Sequence, residues 1–475
     1  VLALATWSAW ARYHALAGSP FPVGVDGYFY PVQLRALLAH GALRYPASPL
    51  AFWLMAPLAA VTDPITGAKL GAAIGGAAIA VPMYAVGKRL GGIGGGLVAA
   101  AVATTSAGSW YLTLEFVKNG IGMTVAMFAV WAALVAIERW TARAAIVAIA
   151  AAIAAVLTHK MALGIVAIPV VAQALRAAHA RGVRWWQLAA LGLALATSAI
   201  AVGEAWPKRF VSDGDVGAVG SLFEATPHWA LPALVQPHLA MGYEAWLGAA
   251  VAVVAIAVAR AGTRAVVISA AALSLAIAIP WLDVDDAQGL AMRLRAIAFV
   301  PLAICAAAAA GGAVGWLAER WRAPVLAVAA AAIAAGLALG FPDGRLDGEI
   351  VTHPALASAV MAADGLIPDG DVVVVPERHI AFMVAWYTGA DVSLRADAVP
   401  RERRLRLLPL AFTGDRSPLD QALLDARKEP LLDPPIGLHS RHPDGLVLVT
   451  ETTWEWMLAR MPANARAYYA AWPTI

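Results

Sequence analysis

The sequence predicts a polytopic α-helical membrane protein of about eleven spans followed by a small α/β domain, and three observations point there. Hydrophobic residues make up 61% of the 475 positions and charged residues only 14%, with a mean hydropathy of +0.70, so most of the chain cannot be a water-soluble domain closed around one core. Apolar runs able to cross roughly 30 Å of hydrocarbon recur through residues 1–340. After Phe341 the composition turns to Asp, Arg and Pro, and no apolar run of 18 residues remains. Alanine and other small residues fill the apolar runs, which suits helices that associate in lipid through close van der Waals contact. The formal net charge of +3 says little beside the placement of the charges, and nothing indicates a nucleic-acid partner. Cys305 is the one cysteine and lies in an apolar run, which excludes an intrachain disulfide and a cysteine-built metal site.

The chain opens at Val1 inside an apolar run without Met or a basic flank, so residues 1–17 are expected to be a first span whose start is truncated or missing, not a signal peptide. A polar loop, 18–65, follows. It carries Asp26, an amphipathic stretch over 33–40, and an apolar segment bounded by Pro49 and Pro57 whose prolines and short length favour a helix lying at the interface. The remaining spans are expected at 66–87, 92–109, 117–137, 143–157, 161–175, 187–203, 244–259, 265–281, 296–314 and 323–340.

With those spans, Lys88 and Arg89, Arg139 and Arg143, Arg176 with Arg181 and Arg184, Arg260 and Arg264, and Arg320 and Arg322 all fall in alternate turns. Cytoplasmic turns carry the excess of Lys and Arg, so these are expected inside. The Asp26 loop, 110–116, 158–160, 204–243, 283–295 and everything after Phe341 then face the other way. Counting 49–57 as a span would invert this order and put every basic turn outside, which argues for the interfacial helix.

Residues 1–340 are therefore expected to be the membrane module, first outer loop included, and 341–475 an extracytoplasmic α/β domain. Asp371-Val-Val-Val-Val-Pro376 reads as a short buried strand, 380–388 as a helix and 445–449 as another strand. About 130 residues are enough for a modest core. Arg401-Glu-Arg-Arg-Leu-Arg406 reads as a solvated helical face, with binding of anionic lipid headgroups as the other reading.

Ionisable residues gather in the turns expected outside: Asp26, Glu115 with Lys118, His159 with Lys160, and Arg293 with Arg295. A carboxylate at a bilayer surface costs free energy unless something uses it, and one that can accept the proton of an attacking hydroxyl is a catalytic base; Asp26 is read in that role. Arginines clamp phosphates through paired charge-assisted bonds, which suits Arg293 and Arg295, while His159 could donate to the same phosphate and Lys118 or Lys160 add point charge. Tyr28 and Tyr30, which flank the acid, are read with Trp206 and Trp229 as substrate-loop residues, and the two tryptophans lie with Asp213-Gly-Asp215 in a glycine-containing stretch, 204–243, that could close over a sugar. Plainer readings stand beside these. Asp26 could cap the helix after it among belt tyrosines, Glu115 could pair with Lys118, the His159-Lys160 turn could be a polar hinge, and Arg293 and Arg295 could snorkel.

Asp26-Gly-Tyr-Phe-Tyr30, Leu34-Arg-Ala-Leu-Leu-Ala-His-Gly41 and the proline-bounded segment resemble the first outer loop of the GT-C superfamily of membrane glycosyltransferases. Trp110 to Gly122, Leu157-Thr-His-Lys160 and Met292-Arg-Leu-Arg-Ala296 resemble the second acidic loop, the histidine turn and the late arginine segment of such enzymes. The resemblance covers the layout of residues 1–340. It implies a catalytic role for Asp26 and for Glu115, a polyprenyl-phosphate sugar as donor, and a lipid, glycan or protein acceptor on the non-cytoplasmic face. Gly27 stands where the protein mannosyltransferase and aminoarabinose transferase branches carry a second acid, and the sequon-recognition motif of an oligosaccharyltransferase is lacking. Some relatives hold a divalent metal; here Asp26 and Glu115 are the carboxylates that could share a hard cation such as Mg or Mn. A transporter or lipid flippase is the alternative reading and would place charges near the bilayer midplane and show two related halves, while a non-catalytic membrane scaffold for the outer domain would leave Asp26, Glu115 and the late arginines unrelated in space.

Overall fold

The computed structural model describes residues 1–24, 26–184, 186–187, 189–190, 193–194, 197, 239–278, 290–318, 354–375, 377–411, 417–438 and 444–470. The chain forms two compact units, one of Val1–Gly18, Pro46–Pro57 and Lys69–Asp347, the other of Ser19–Tyr45, Leu58–Ala68 and Gly348–Ile475. Residues 19–45, expected in the membrane module, fold with the C-terminal residues. What draws them there is a set of specific bonds to one helix of that unit, described below.

The first unit is helical. Helix α1 spans Leu2–Ala17, α2 (Phe29–His40) belongs to the other unit, and α3 covers Leu50–Val61. Helix α3 runs on past Pro57, which was expected to end it. Pro57 and Trp53 both lie on an exposed face of α3, so the lost bond to the carbonyl four residues back leaves no buried group unsatisfied. After α4 (Pro64–Ala77), α5 (Ala80–Thr105) is broken at Gly91 and Gly92, where Gly92 has φ 70° and ψ −163°. That conformation is open essentially to glycine alone. The two arms fold back on each other, since a Cβ at Gly87 would lie 2.6 Å from that of Ala99 and one at Gly96 2.7 Å from the Tyr84 ring. The hairpin matches the expected spans 66–87 and 92–109 with Lys88 and Arg89 near its tip.

Helices α6 (Ala107–Leu114), α7 (Val117–Arg139), α8 (Ala142–Val166) and α9 (Ile168–Ala180) follow. Trp140, with φ 51°, turns the chain between α7 and α8, and α8 is interrupted at His159 by extended backbone, φ −162° and ψ 104°, where the polar turn 158–160 was expected. Three further helices, Leu239–Val258, Arg264–Ala278 and Phe299–Ala318, complete the packing. Their approach is close because the contacts are small: Gly91 meets Gly311, a Cβ at Gly91 would overlap the Ala307 carbonyl, and Ala126, Ala252, Ala270 and Ala307 are fully buried. Such contacts supply the van der Waals attraction that holds helices together in lipid.

Four stretches among the described residues are long and apolar enough to cross a membrane, Pro64–Thr105, Val117–Arg139, Ala142–His159 and Arg293–Gly312. Shorter apolar helices cover Leu50–Val61, Glu244–Val258 and Arg264–Ala278. The expected span 323–340 lies outside the described residues, as does most of 187–203. Several basic turns meet at one end of the unit. Arg89 pairs with Glu138 at 3.3 Å, Gln173 and Arg176 donate to the Gly262 carbonyl at 2.9 and 2.7 Å, and Arg181 lies over the Trp140 ring at 4.4 Å.

The second unit contains a five-stranded sheet in the order β2-β1-β3-β5-β4, from β1 (Val372–Val374), β2 (Asp391–Ser393), β3 (Arg404–Ala411), β4 (Ile436–Leu438) and β5 (Asp444–Thr450). Strand β1 pairs parallel with β2 and β3, and β5 antiparallel with β3 and β4. The expected strands at 371–376 and 445–449 and the helix at 380–388 are present as β1, β5 and the helix Arg378–Tyr387. Leu408, Leu423, Val447, Val449, Trp454 and Met457 form a core between the sheet and its helices.

The segment 401–406 departs from its expected helical face. Arg401–Arg403 is a single 3-10 turn and Arg404 begins β3. Strand pairing overrides the charge run because three of its cations are matched by two acids far along the chain. Arg401 bonds Glu455, while Arg404 and Arg406 both bond Glu451.

Candidate active site

Asp26 sits in a turn closed by Gly27 N donating to Gly24 O and Phe29 N donating to Asp26 O, each at 2.9 Å. Tyr28 is the residue that precedes α2, and no side chain caps the helix there, so Asp26 is not a cap. Its carboxylate instead forms an ion pair with Arg378, Nε to Oδ1 2.6 Å, with the Asp26 side chain 14% exposed. The turn also accounts for Gly27, since a Cβ there would lie 2.8 Å from Val23 O and 2.9 Å from Gly24 O. No second acid fits at that position in this turn.

The helix Arg378–Tyr387 grips the loop at several points, all within the second unit. Glu377 caps it, accepting from His379 N at 2.9 Å and Ile380 N at 2.7 Å. His379 bonds Gly24 O through Nδ1 at 3.1 Å, and its ring meets that of Tyr28 edge-on at 5.3 Å. The Tyr28 and Tyr387 hydroxyls are 3.2 Å apart, and Phe29 stacks at a tilt on Phe382 at 4.8 Å. Arg35 donates to Trp386 O and Ala385 O at 2.8 and 2.9 Å and lies over the Trp386 ring. Beyond the helix, Arg44 binds Gly389 O and Asp391. Burial pushes the His379 pKa below its ordinary value, against the pull of Glu377, the Gly24 carbonyl and Asp26. Tyr28 and Tyr30, expected to line a substrate, are 0% and 3% exposed and serve here as packing groups.

In the first unit, α6 presents Glu115 immediately after its last turn. Two polar side chains from distant helices hold α6, the half-buried Glu244 and the fully buried Arg12. Glu244 accepts from Ala107 N and Gly108 N at its N-terminus, where the backbone donors have no helical partner. Arg12 donates to Ser8 Oγ, Ser109 O, Ser109 Oγ, Thr104 O and Thr113 Oγ1, which uses its full set of N–H groups. Neither Arg12 nor Glu244 was singled out in the sequence, although an isolated charge in an apolar span is itself the signal.

The short helix Leu290–Ala296, which carries Arg293 and Arg295, packs on α6. Gly108 permits this, because a Cβ there would overlap the Ala296 carbonyl. Glu115 and Arg293 consequently both act on Tyr111, whose phenol is pushed up to about 12 by burial first and by Glu115 second, with Arg293 opposing. His159 lies against α7 at Gly122, where a Cβ would come within 2.6 Å of its own. Lys118 precedes Gly122 by four residues on the same face of α7, so His159 sits one turn along from it. Thus Glu115, Lys118, His159 and Arg293 fall in one region of the first unit, while Asp26 belongs to the second. Arg295 is half-buried, Lys160 lies in α8, and Trp206 and Trp229 are outside the described residues, as is Asp213-Gly-Asp215.

Among the described residues no group of three or more His, Cys, Asp or Glu side chains could hold a metal ion. Asp26 and Glu115, the carboxylates expected to share a hard cation, belong to different units and by themselves supply fewer oxygens than such a cation takes.

No family model matches the chain, and no curated protein sequence matches it. Among solved structures, ArnT from Cupriavidus metallidurans in the apo state superposes with a TM-score of 0.53 at 14% identity, covering 95% of this chain and 98% of that one. The Archaeoglobus fulgidus oligosaccharyltransferase, in complex with Zn and sulfate, gives 0.49 at 13% identity, covering 82% of this chain and 62% of that one. The ArnT likeness, over nearly its whole length, shows that the chain shares the fold of that protein, here with several helices long and apolar enough to cross a membrane and a small C-terminal mixed sheet.

Proposed function

We propose that the chain is a membrane glycosyltransferase that moves a sugar from a polyprenyl-phosphate donor to a hydroxyl or amide of a lipid, glycan or protein acceptor on the non-cytoplasmic face. The observation that carries this reading is Asp26, a mostly buried carboxylate held at the head of α2 within a GT-C fold. Asp26 takes the proton of the acceptor as its heteroatom attacks the anomeric carbon from the face opposite the phosphate. The bond between the sugar and the phosphate oxygen breaks, and the configuration inverts. Negative charge grows on the departing phosphate, where Arg293, Arg295, His159, Lys118 and Lys160 are the groups that would stabilise it. Glu115, which acts with Arg293 on Tyr111, is the second acid to which this reading gives a catalytic role.

The test is transfer from a panel of radiolabelled polyprenyl-phosphate sugars in proteoliposomes, with Asp26→Asn beside the unaltered chain. Asp26→Asn should reduce transfer by about 10²- to 10⁴-fold, the usual contribution of a general base, and leave donor binding intact. Absence of both transfer and donor binding in the unaltered protein would end the glycosyltransferase reading.

A further inference from the structure

At the end of the first unit where its basic turns meet, a stacked pair of side chains joins two of them. Trp140, between α7 and α8, has φ 51° and is left 59% exposed. Arg181, at the end of α9, lies over the Trp140 ring at 4.4 Å. An aromatic face under a guanidinium holds its plane and leaves its N–H edge pointing away from the ring. Among the described residues the Arg181 side chain makes a single hydrogen bond, from Nη1 to the Ala177 carbonyl at 2.9 Å, which leaves the rest of its N–H groups available.

Other cations surround this pair. Arg139 and Arg143 stand on either side of Trp140, Arg184 comes shortly after Arg181, and all are exposed. Among the described residues none of these three side chains is paired with an acid. Glu138, the acid next to them in sequence, is engaged by Arg89 at 3.3 Å. Arg143 lies in the first turn of α8, which holds no acid and where the helix's own field disfavours a cation. The positive charge is therefore concentrated and uncompensated, and an anion would relieve it. The level of the turn indicates which anion. It joins the ends of two stretches long and apolar enough to cross a membrane, Val117–Arg139 and Ala142–His159, and so comes to lie among lipid headgroups. Exposed tryptophan is suited to the same level, and Trp186, just after Arg184, is exposed as well.

We propose that Trp140, Arg181, Arg139, Arg143 and Arg184 form a headgroup site for an anionic phospholipid of the adjoining leaflet. The phosphodiester bonds the outer edge of the Arg181 guanidinium, and the other arginines supply charge around it. Arginines in such turns also set the orientation of the spans, but that role needs charge alone and no stacking. Substitutions that keep the charge therefore separate a built site from an orienting signal.

The experiment is native mass spectrometry of the full chain in non-ionic detergent, titrated with phosphatidylglycerol or with phosphatidylcholine of the same acyl chains. The first phosphatidylglycerol should bind more tightly by about fivefold or more, the worth of one basic contact at a membrane surface. Arg181→Lys combined with Trp140→Asn keeps every charge and accepts the left-handed backbone at position 140. This variant should bring the preference below about twofold, because lysine lacks the planar fork and the stacking surface is gone. Should it not fold, Arg181→Lys alone, at an exposed helix end, reads the same loss. Equal affinity for the two lipids, or a preference unchanged in the charge-preserving variants, would overturn the proposal. Millimolar inorganic phosphate should leave the phosphatidylglycerol complex intact. Displacement by phosphate would mean a site for free anions and would overturn the lipid as its occupant.

Discussion

Arg406 grips the Glu451 carboxylate with two hydrogen bonds, Nε to Oε2 at 2.6 Å and Nη2 to Oε1 at 2.9 Å, with the side chains 9% and 7% exposed. The guanidinium also lies 5.1 Å from the Trp454 ring, and Arg404 reaches the same acid at 3.3 Å. Two ions taken out of water recover their desolvation cost only through such geometry. Removing one partner leaves the other buried and uncompensated. Glu451→Ala should therefore destabilise the C-terminal unit by about 3–5 kcal/mol. Replacing both partners, as Arg406→Met with Glu451→Leu, should cost much less. Urea unfolding of the detergent-solubilised chain, followed by tryptophan fluorescence, checks both, and equal midpoints for Glu451→Ala and the unaltered protein would refute the account.

The same pair shows what the sequence does and does not disclose. Arg401-Glu-Arg-Arg-Leu-Arg406 has the charge density of a solvated helix, but Arg404-Leu405-Arg406-Leu407 also alternates with period two, and that weaker pattern is the one the fold uses. Charge density misleads here because Glu451 is 45 residues away from Arg406 and cannot be assigned to it by inspection. The membrane hairpins are far more legible. Gly91-Gly92 directly follows the basic tip, and His159 interrupts α8 at the polar turn, because helix ends in lipid must be marked locally by glycine or polar residues. Asp26 is visible as an isolated acid. Its setting is not, since Gly24 and His379 are separated by 355 residues and no local periodicity encodes a contact of that span.

His379 should make the C-terminal unit sensitive to acid. Burial lowers its pKa in the folded protein, although Glu377, the Gly24 carbonyl and Asp26 favour the charged ring. Below the ordinary histidine pKa of about 6.5, the unfolded chain binds a proton that the folded one resists, so stability increases with pH there. The contribution is complete above about pH 6.5 and declines as the pH falls below it toward the lowered native value. Melting temperature compared between about pH 7.5 and pH 5.5 should drop more for the unaltered protein than for His379→Asn, which cannot titrate in this range. Parallel curves would assign the acid sensitivity to another group.

Gly122 and His159 provide a test of the donor side of the site. A Cβ at Gly122 would stand 2.6 Å from that of His159, and the backbone at His159 is already extended within α8, so the added methyl can be relieved only by moving the histidine. If the imidazole binds the donor phosphate, Gly122→Ala disturbs the same interaction that His159→Ala deletes. Each change should raise the donor KM, with kcat falling less. The double variant should be no worse than His159→Ala alone, because a contact already lost cannot be lost again. Residues that touch in this way show a coupling of about 0.5–3 kcal/mol, whereas distant independent sites add to within a few tenths. Donor KM values from the four members of this cycle decide the matter. Simple addition would mean that Gly122 matters only for packing α7 against α8, and that His159 makes its contribution, if any, without that contact.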